Sequence, residues 1–471
     1  MTIHKVGATR DQTFSWELGV GGWELASSAC CPWTKSRAVA TYNRVMARAS
    51  AAVLVSILAG CTALLAARQF SSPTVCDPDN GGLALTAGFC AAVVADRLGP
   101  ARHITVAPNG DLYVELHDNR APGGSVMALR DTDGDGRFDM QQRFGAGLAG
   151  TAIAWRNNQL YVGADRKIVR FQMDGVALLP IGPPEVIVDD LPNAGGHSAK
   201  SFAFGEQGEI YVHVGAPTNN CQARDRVAGV PGRRPCSDLA LAAGIWQYEA
   251  DRVGQSHSAD NRFATGIRHT VGVAWNTTTH SLWAVQNGRD QLDLWPAFDG
   301  TKNAELPAEE LQEIKQGADF GWPYCYFDPL LNRRVVAPEY GGDGRAVADC
   351  AKYTNPVATF PAHYAPLDVL FYMGTQFPAQ YRDGAFVAFH GSWNRSPLPQ
   401  AGYNVMFQPL NHDASTGTAH VFADGFAGTP RPSPGNAQHR PVGLAQGPDG
   451  SLYVSDDSGG RIWRISYAGM W

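Results

Sequence analysis

Ile104-Thr105-Val106, a turn through Gly110-Asp111, and then Leu112-Tyr113-Val114 make up the stretch that decides the fold. Apolar residues alternate at a period of two on both sides of the turn, which predicts two antiparallel strands joined as a hairpin. The second strand carries an aromatic residue. The pattern returns at Ile153-Ala154-Trp155 with Leu160-Tyr161-Val162, Phe202-Ala203-Phe204 with Ile210-Tyr211-Val212, Val273-Ala274-Trp275 with Leu282-Trp283-Ala284, Leu370-Phe371-Tyr372 with Ala385-Phe386-Val387, and Leu444-Ala445 with Leu452-Tyr453-Val454.

These six copies predict an all-β chain that folds as a six-bladed β-propeller. The repeating aromatic recurs on average every 68 residues, since 340 residues separate Tyr113 from Tyr453 over five gaps. That spacing leaves room for a four-stranded blade and an elaborated loop in each repeat. We expect the propeller to occupy residues 76–471.

The bulk composition is that of a globular protein, with 44% hydrophobic and 17% charged residues. A formal net charge of −6 and the lack of a Lys/Arg run give no basic field that would gather nucleic acid, so no nucleic-acid partner is expected.

The first 75 residues differ from the rest. Residues 1–45 show no periodicity, and we interpret them as a leader without structure or a mis-called start, with Met46 as the true start. Residues 46–75 combine a short basic start, the apolar run 51–58 and small residues up to Cys61, which together predict an export signal and a linker. The sequence around Cys61 also resembles a bacterial lipobox, so Cys61 is the candidate lipid anchor of a periplasmic or cell-envelope protein. An uncleaved membrane anchor is the weaker alternative, because the segment is short for a span.

Six cysteines outside this leader support export. They form three couples along the chain, which are Cys76/Cys90, Cys221/Cys236 and Cys325/Cys350. An even number of cysteines in near-neighbour couples is typical of an oxidising compartment. Other connectivities stay open, but pairing within each couple closes the shortest loops.

Ligands of propellers bind at a mouth of the central channel, where loops of successive blades meet. Polar residues beside the repeats are therefore the candidates. His197 follows Gly195-Gly196 just before the third repeat, and an imidazole there is suited to take a proton near neutral pH. Arg268-His269 precedes the fourth repeat, where a guanidinium would be a fixed cation for an anion.

Two further clusters adjoin the later repeats. One comprises Gly288 and the adjacent Glu309 and Glu310, a plausible hard-cation site, although paired glutamates are more often solvated. The other comprises Arg395, in Phe-His-Gly-Ser-Trp-Asn-Arg, and Arg440, which precedes the sixth repeat.

Taken in order, these motifs resemble the glucose/sorbosone dehydrogenase family of soluble pyrroloquinoline quinone (PQQ) enzymes. The stretches that carry the resemblance are the His before a strand, Gly-x-Arg before a strand, Pro-Ala-Glu-Glu-Leu … Phe-Gly-Trp-Pro-Tyr-Cys, Phe-His-Gly-Ser-Trp-Asn-Arg, and Arg-Pro-Val-Gly … Gly-Pro-Asp-Gly-Ser-Leu-Tyr-Val. The resemblance covers about residues 76–467. It implies a PQQ-dependent oxidoreductase that oxidises a sugar or a related aldehyde or alcohol and passes electrons to a periplasmic acceptor.

The resemblance also implies residue roles. His197 matches the general base that removes the C1 hydroxyl proton of the sugar while hydride passes to PQQ, and Arg268 matches the arginine that stabilises the developing negative charge. His269 stands where glucose dehydrogenases of the family have Asn. Arg395 and Arg440 match positions that hold the PQQ carboxylates.

For metal, the resemblance implies a Ca²⁺ ion at the backbone carbonyl of Gly288 and a second calcium near Glu310.

One departure from the family pattern concerns the general base. The glucose enzymes follow Gly215 with an Asp that orients the catalytic His, whereas this chain has Ala216. Either another group orients His197, or the protein is not a glucose dehydrogenase.

A separate motif runs from Asp131 to Asp139. Asp131, Asp133 and Asp135 with Gly136 match an EF-hand-type calcium loop, but Gln142 stands where the bidentate Glu belongs. An Asp-Gly hairpin turn fits the same composition.

Two other functions stay open. A calcium-dependent lactonase-type hydrolase would need central carboxylates rather than Arg268, Arg395 and Arg440. A non-catalytic envelope binding propeller would need neither.

Overall fold

The computed structural model describes residues 75–118, 123–193 and 195–469. The predicted leader at residues 1–45, nearly all of the predicted signal and linker at 46–75, and Cys61 lie outside these ranges. Within the described ranges, no helix is long and apolar enough to cross a membrane.

Six antiparallel sheets of four main strands form the six predicted blades. Blades 1 to 3, from the channel outward, consist of Ala101–Val106, Leu112–Leu116, Val126–Arg130 and Met140–Phe144; Gly150–Arg156, Gln159–Ala164, Lys167–Gln172 and Glu185–Asp189; and Phe202–Phe204, Glu209–Val214, Gly244–Glu249 and Arg262–Thr265. Blades 4 to 6 consist of Thr270–Asn276, Ser281–Gln286, Glu309–Ile314 and Ala358–Phe360; Pro366–Phe371, Ala385–Phe389, Asn404–Gln408 and His420–Asp424; and Pro441–Gln446, Leu452–Asp456, Ile462–Tyr467 and Phe89–Ala95. Each predicted hairpin is the inner pair of one blade.

Shorter elements decorate these blades. The strands Ala84–Leu85 and Gln255–Ser256 extend blades 5 and 2, and two small hairpins are Cys325–Asp328 with Arg333–Val336 and Leu410–Asn411 with Ala414–Ser415. The helical segments of the described residues are the α-helix Gly300–Glu305 and the 3₁₀ turns Asn80–Gly82, Gly195–His197, Ser237–Ala240, Ala259–Asn261, Leu292–Leu294, Pro338–Tyr340, Ala348–Lys352 and Ala379–Tyr381.

The ring closes through a strand from the start of the domain. Phe89–Ala95 pairs antiparallel with Ile462–Tyr467 and supplies the outer strand of blade 6. Because closure joins the two ends of the domain within one sheet, no blade is left without its full set of strands.

The repeating aromatic holds neighbouring blades together. Four of these side chains pack against an aromatic on the inner strand of the next blade. The pairs and their centroid distances are Tyr113–Trp155 at 5.7 Å, Tyr161–Phe204 at 4.8 Å, Tyr211–Trp275 at 6.1 Å and Trp283–Phe371 at 5.5 Å. Aromatic pairs at such distances stabilise by about 0.5–1.5 kcal/mol beyond their area burial. The repeat visible in the sequence is therefore a repeat of inter-blade contacts.

All three predicted disulfides are present. Cys76–Cys90, Cys221–Cys236 and Cys325–Cys350 have Cα–Cα distances of 5.7, 6.0 and 5.9 Å. Each bond lies within its sequence couple, as the short loops predicted.

Candidate active site

One end of the channel gathers the predicted residues. In every blade the inner strand runs away from this end and the second strand returns to it. Residues just before an inner strand and just after a second strand therefore meet there, and we call this end the mouth. His197, Arg268 and Arg440 precede inner strands, while Ala216 and Gly288 follow second strands.

A backbone carbonyl orients His197. Nδ1 of His197 lies 2.6 Å from the carbonyl oxygen of Ala216. Since a carbonyl only accepts, Nδ1 carries the proton, and Nε2 is left as the acceptor of the neutral ring. The missing Asp at this position is thus replaced by the peptide of Ala216, whose N–H in turn donates to the Arg268 carbonyl at 2.8 Å.

Gly215 makes this approach feasible. A Cβ at Gly215 would lie 2.5 Å from the His197 carbonyl oxygen and 2.7 Å from the His197 Cβ. A side chain there would push the turn that carries His197 away from the end of the second strand of blade 3.

Three imidazoles lie together behind the mouth. The rings of His197 and His269 stack at 4.6 Å, and the rings of His269 and His213 are 5.9 Å apart. Burial, together with the charge of Arg268, lowers the pKa of His197 to about 3, and burial lowers that of His269 well below its usual value. His197 is therefore a neutral base across the physiological pH range.

Hydrogen bonds to three residues fix the side chain of Arg268, which is 4% exposed. Its Nε and Nη2 donate to the carbonyl and side-chain oxygens of Asn219 at 3.2 and 3.0 Å. Nη2 also donates to Asp290 at 2.9 Å, and Nη1 donates to the Gly288 carbonyl at 2.9 Å. Burial would raise the pKa of Asp290, but the charges of Arg268 and Arg226 hold it below its usual value. The guanidinium is thus a preorganised cation.

The same contacts bear on the calcium predicted at Gly288. The Gly288 carbonyl already accepts from a guanidinium, and the carboxylate of Asp290 bonds Arg268, Arg226 and, through its other oxygen, Asn394. A divalent cation would have to displace or sit beside these cations. The donor set here does not fit calcium.

The two adjacent glutamates of blade 4 point in opposite directions, as alternation in a strand requires. Glu310 forms a buried ion pair with Arg334 at 2.6 Å, and its oxygens also accept from Gln286 and Gln312. Its carboxylate is committed to these partners, so calcium at Glu310 finds no support in this geometry. Its role as a metal ligand stays a prediction.

Glu309, named with Glu310 as part of a candidate hard-cation site, bonds backbone groups instead. Its oxygens accept from the backbone N–H groups of Gly288 and Ala365 at 2.6 and 3.1 Å. It therefore ties the loop of blade 4 to the start of blade 5, and burial raises its pKa to about 7.

The far side of the mouth carries a second arginine group. Arg440 donates from Nε and Nη2 to the carbonyls of His390 and Gly391 at 3.0 and 3.1 Å. Arg102 donates to Asp457 at 2.7 Å, and His390 lies 2.8 Å from the other oxygen of that carboxylate. Burial alone would raise the pKa of Asp457, but the bonds from His390 and Arg102 hold this pKa well below its usual range.

Arg102 was missed as a site residue, although its sequence signal was present. Arg102-His103 opens the inner strand of blade 1 much as Arg268-His269 precedes that of blade 4. Its Nε is buried with no hydrogen-bond partner, which leaves a charged donor unsatisfied.

Arg395 lies at the mouth, in the loop after the second strand of blade 5, and its role toward the PQQ carboxylates stays a prediction, whereas the Asp loop lies elsewhere. Arg395 donates to the carbonyls of Ala304 and Ala362 at 2.9 and 2.8 Å, so it braces the loop after the second strand of blade 5. Asp131, Asp133 and Asp135 occupy the turn between the third and fourth strands of blade 1, at the opposite end of the channel from the mouth. One ligand atom of each lies within 4.8 Å of the others, so calcium at this loop stays a prediction.

The model of the TrAA12-like family matches residues 83–468, which is nearly the whole propeller. The chain belongs to the TrAA12-like family.

Among its relatives, a pyrroloquinoline quinone-dependent sugar dehydrogenase of Hypocrea jecorina is 29% identical over 276 residues, 54% of this chain and 58% of the relative. The chain spans between 30% and 58% of the length of the curated relatives it matches.

Solved structures share the fold. The holo form of the pyranose dehydrogenase PQQ domain from Coprinopsis cinerea superposes with a TM-score of 0.66 at 20% identity, covering 82% of this chain and 97% of that one. The calcium structure of Trichoderma reesei Carbohydrate-Active Enzymes Family AA12 gives 0.67 at 20% identity, covering 84% and 99%. At this identity the likeness concerns the fold alone.

Proposed function

We propose that this protein is a PQQ-dependent dehydrogenase that oxidises a sugar, or a related aldehyde or alcohol, with His197 as the general base. The observation that carries the proposal is the bond from His197 Nδ1 to the Ala216 carbonyl. This bond leaves Nε2 of His197 as a neutral acceptor. The nearby guanidinium of Arg268, held by its hydrogen bonds, supplies positive charge. The PQQ-dependent relatives add weight to this choice of cofactor.

The residues of the mouth fit an anionic cofactor. PQQ carries three carboxylates, and charge-assisted bonds from arginine are the strongest way to hold such groups. The unsatisfied Nε of Arg102 and the Nη1 of Arg440, which its two bonds to carbonyls leave available, are the donors that would hold it.

When bound, PQQ would supply the quinone that accepts the hydride. The chain supplies the rest. His197 takes the hydroxyl proton of the substrate at Nε2, and the Ala216 carbonyl stabilises the ring as it becomes charged. Arg268 meets the negative charge that develops, without having to reorganise, because Asn219 and Asp290 already fix it. No step requires the calcium predicted at Gly288.

Export, with Cys61 as the candidate lipid anchor, and delivery of electrons to a periplasmic acceptor remain part of the proposal. Three disulfides in one domain support an oxidising compartment. The lactonase alternative loses support, because the carboxylates Asp290 and Asp457 at the mouth are each paired with arginine.

The test is reconstitution of the purified protein with PQQ, with and without Ca²⁺, followed by dye reduction over aldoses, sorbosone and simple alcohols. Binding is measured in parallel by fluorescence titration of wild type, Arg440→Ala and Arg382→Ala. Arg382 is exposed at the opposite end of blade 5, so its variant controls for loss of charge. We expect Arg440→Ala to weaken PQQ binding by about 1.5–3 kcal/mol, roughly 10- to 150-fold in Kd, and Arg382→Ala to leave it unchanged.

Equal affinity of Arg440→Ala and wild type would remove Arg440 from the cofactor site. A protein that binds sugars but neither binds PQQ nor reduces dye would instead be the non-catalytic binding propeller.

A further inference from the structure

One aromatic side chain at the mouth is left in water. Trp393 is 55% exposed, and it is the only tryptophan, tyrosine or phenylalanine that is exposed among the described residues. It lies in the loop that follows the second strand of blade 5, Ala385–Phe389, and therefore at the mouth. An exposed indole leaves a large apolar area in water, and a ligand that covers it gains the free energy of burying that area.

The loop on both sides of Trp393 is held firmly. Ser392 donates from its backbone to Ala401 at 2.8 Å, and its carbonyl accepts from the Tyr403 hydroxyl at 2.7 Å. On the other side, Asn394 donates to Asp290 at 2.9 Å. The backbone of Trp393 is thus fixed before any ligand arrives, which lowers the entropy that binding would cost.

The same carboxylate positions the proposed catalytic groups. Asp290 bonds Asn394 with one oxygen and Arg268 with the other. The loop that carries Trp393 is therefore connected through Asp290 to Arg268 and, through the Ala216 peptide, to His197.

We propose that Trp393 is the platform on which the pyranose ring of the substrate stacks. One face of a pyranose consists of C–H groups, whereas its hydroxyls project around the rim. Stacking on an indole removes apolar area of both partners from water and leaves those hydroxyls free for hydrogen bonds. A protein partner would need a broad patch with several apolar side chains, whereas this indole is flanked by Ser392 and Asn394.

This inference rests on the proposed function for the identity of the reaction, but its test does not. In the apo-protein, binding of a panel of mono- and disaccharides is followed by saturation-transfer NMR for wild type, Trp393→Ala, Trp393→Phe and Leu330→Ala. Leu330 is 74% exposed on the hairpin tip of an insertion, so its variant controls for loss of an exposed apolar side chain.

We expect wild type, Trp393→Phe and Leu330→Ala to bind a pyranose through the C–H protons of one ring face, and Trp393→Ala to lose this signal. In the PQQ-loaded protein, Trp393→Ala should raise KM about tenfold or more with kcat within about threefold, and Trp393→Phe should recover most of the change.

Saturation transfer that persists in Trp393→Ala, or wild type that gives none with any pyranose, would overturn the proposal. A protein that shows the expected NMR pattern but fails to use PQQ would contradict only the proposed reaction and would leave Trp393 as a sugar platform.

Discussion

Replacement of His197 by asparagine, His197→Asn, tests the proposed chemistry most directly. The introduced amide keeps a donor for the Ala216 carbonyl, which now accepts at 2.6 Å, but offers no basic nitrogen at the position of Nε2. Loss of a general base should lower kcat by about 10²- to 10⁴-fold, equivalent to about 3–5 kcal/mol on the barrier. The affinity for PQQ should hold within about threefold, because the imidazole acts on the substrate proton.

The pH profile gives a second measure of the same residue. Burial and the charge of Arg268 lower the pKa of His197 to about 3. The base is active when deprotonated, so activity is lost only as pH falls through that pKa. We expect kcat/KM of wild type to show no acid limb near pH 6.5, the usual value of histidine, and to fall only toward about pH 3.

The assay combines dye reduction with PQQ titration. His280→Asn serves as the matched control, because His280 is exposed at the opposite end of blade 4 and bonds Glu206. Turnover of His197→Asn within threefold of wild type would refute the assignment, and His269 would then be the next residue to test.

Two further predictions concern stability. Asp290→Asn leaves the buried Arg268 without its countercharge and should lower the free energy of unfolding, measured in urea, by about 3–5 kcal/mol. The control Asp293→Asn, in an exposed neighbouring position, should lower it by less than about 1 kcal/mol. A similar small loss for both variants would show that Asp290 does not balance Arg268. Burial also lowers the pKa of His213 to about 3, so the unfolded chain binds a proton that the folded one does not below about pH 6.5. As the pH is lowered from 6.5 to 3, this residue should therefore reduce the unfolding free energy by up to about 1.4 kcal/mol per pH unit. In His213→Gln the unfolding free energy should depend less steeply on pH, and an unchanged dependence would contradict the prediction.

The fold could be predicted because one physical contact repeats. In four successive blades the aromatic residue of the second strand packs on the next blade. Because the contact is the same, the same residue type occurs at the same place in these repeats. Closure of the ring could not be predicted, because no repeated sequence pattern marks it. Phe89–Ala95 is a single strand without a hairpin partner nearby in sequence, and its partner, Ile462–Tyr467, lies at the other end of the chain.

The candidate site was predictable where a polar side chain stands just before an inner strand. His197, Arg268 and Arg440 meet that condition and lie at the mouth. The Ala216 carbonyl could not be found, because a backbone acceptor is common to every residue type. The partner of Glu310 was equally hidden, since Arg334 lies in an inserted hairpin whose position the sequence does not reveal.

The balance of charge at the mouth separates the proposed functions. The chain as a whole is negative, with a formal net charge of −6. At the mouth, Arg268 and Arg226 share the carboxylate of Asp290, and Arg102 and His390 share that of Asp457. Burial lowers the pKa of His390, so its neutral form adds no charge.

The guanidiniums of Arg102, Arg226, Arg268 and Arg440 lie beside four carboxylates, those of Asp225, Asp290, Asp456 and Asp457. Glu309 contributes less than a full charge near neutral pH because burial raises its pKa to about 7. Each of these four carboxylates is already paired with an arginine or a histidine. A metal-dependent hydrolase needs a different arrangement, because a divalent cation requires oxygen ligands that are not already neutralised by such partners. The unsatisfied Nε of Arg102 is, by contrast, a charged donor still available to a ligand, and such a donor favours an anionic cofactor.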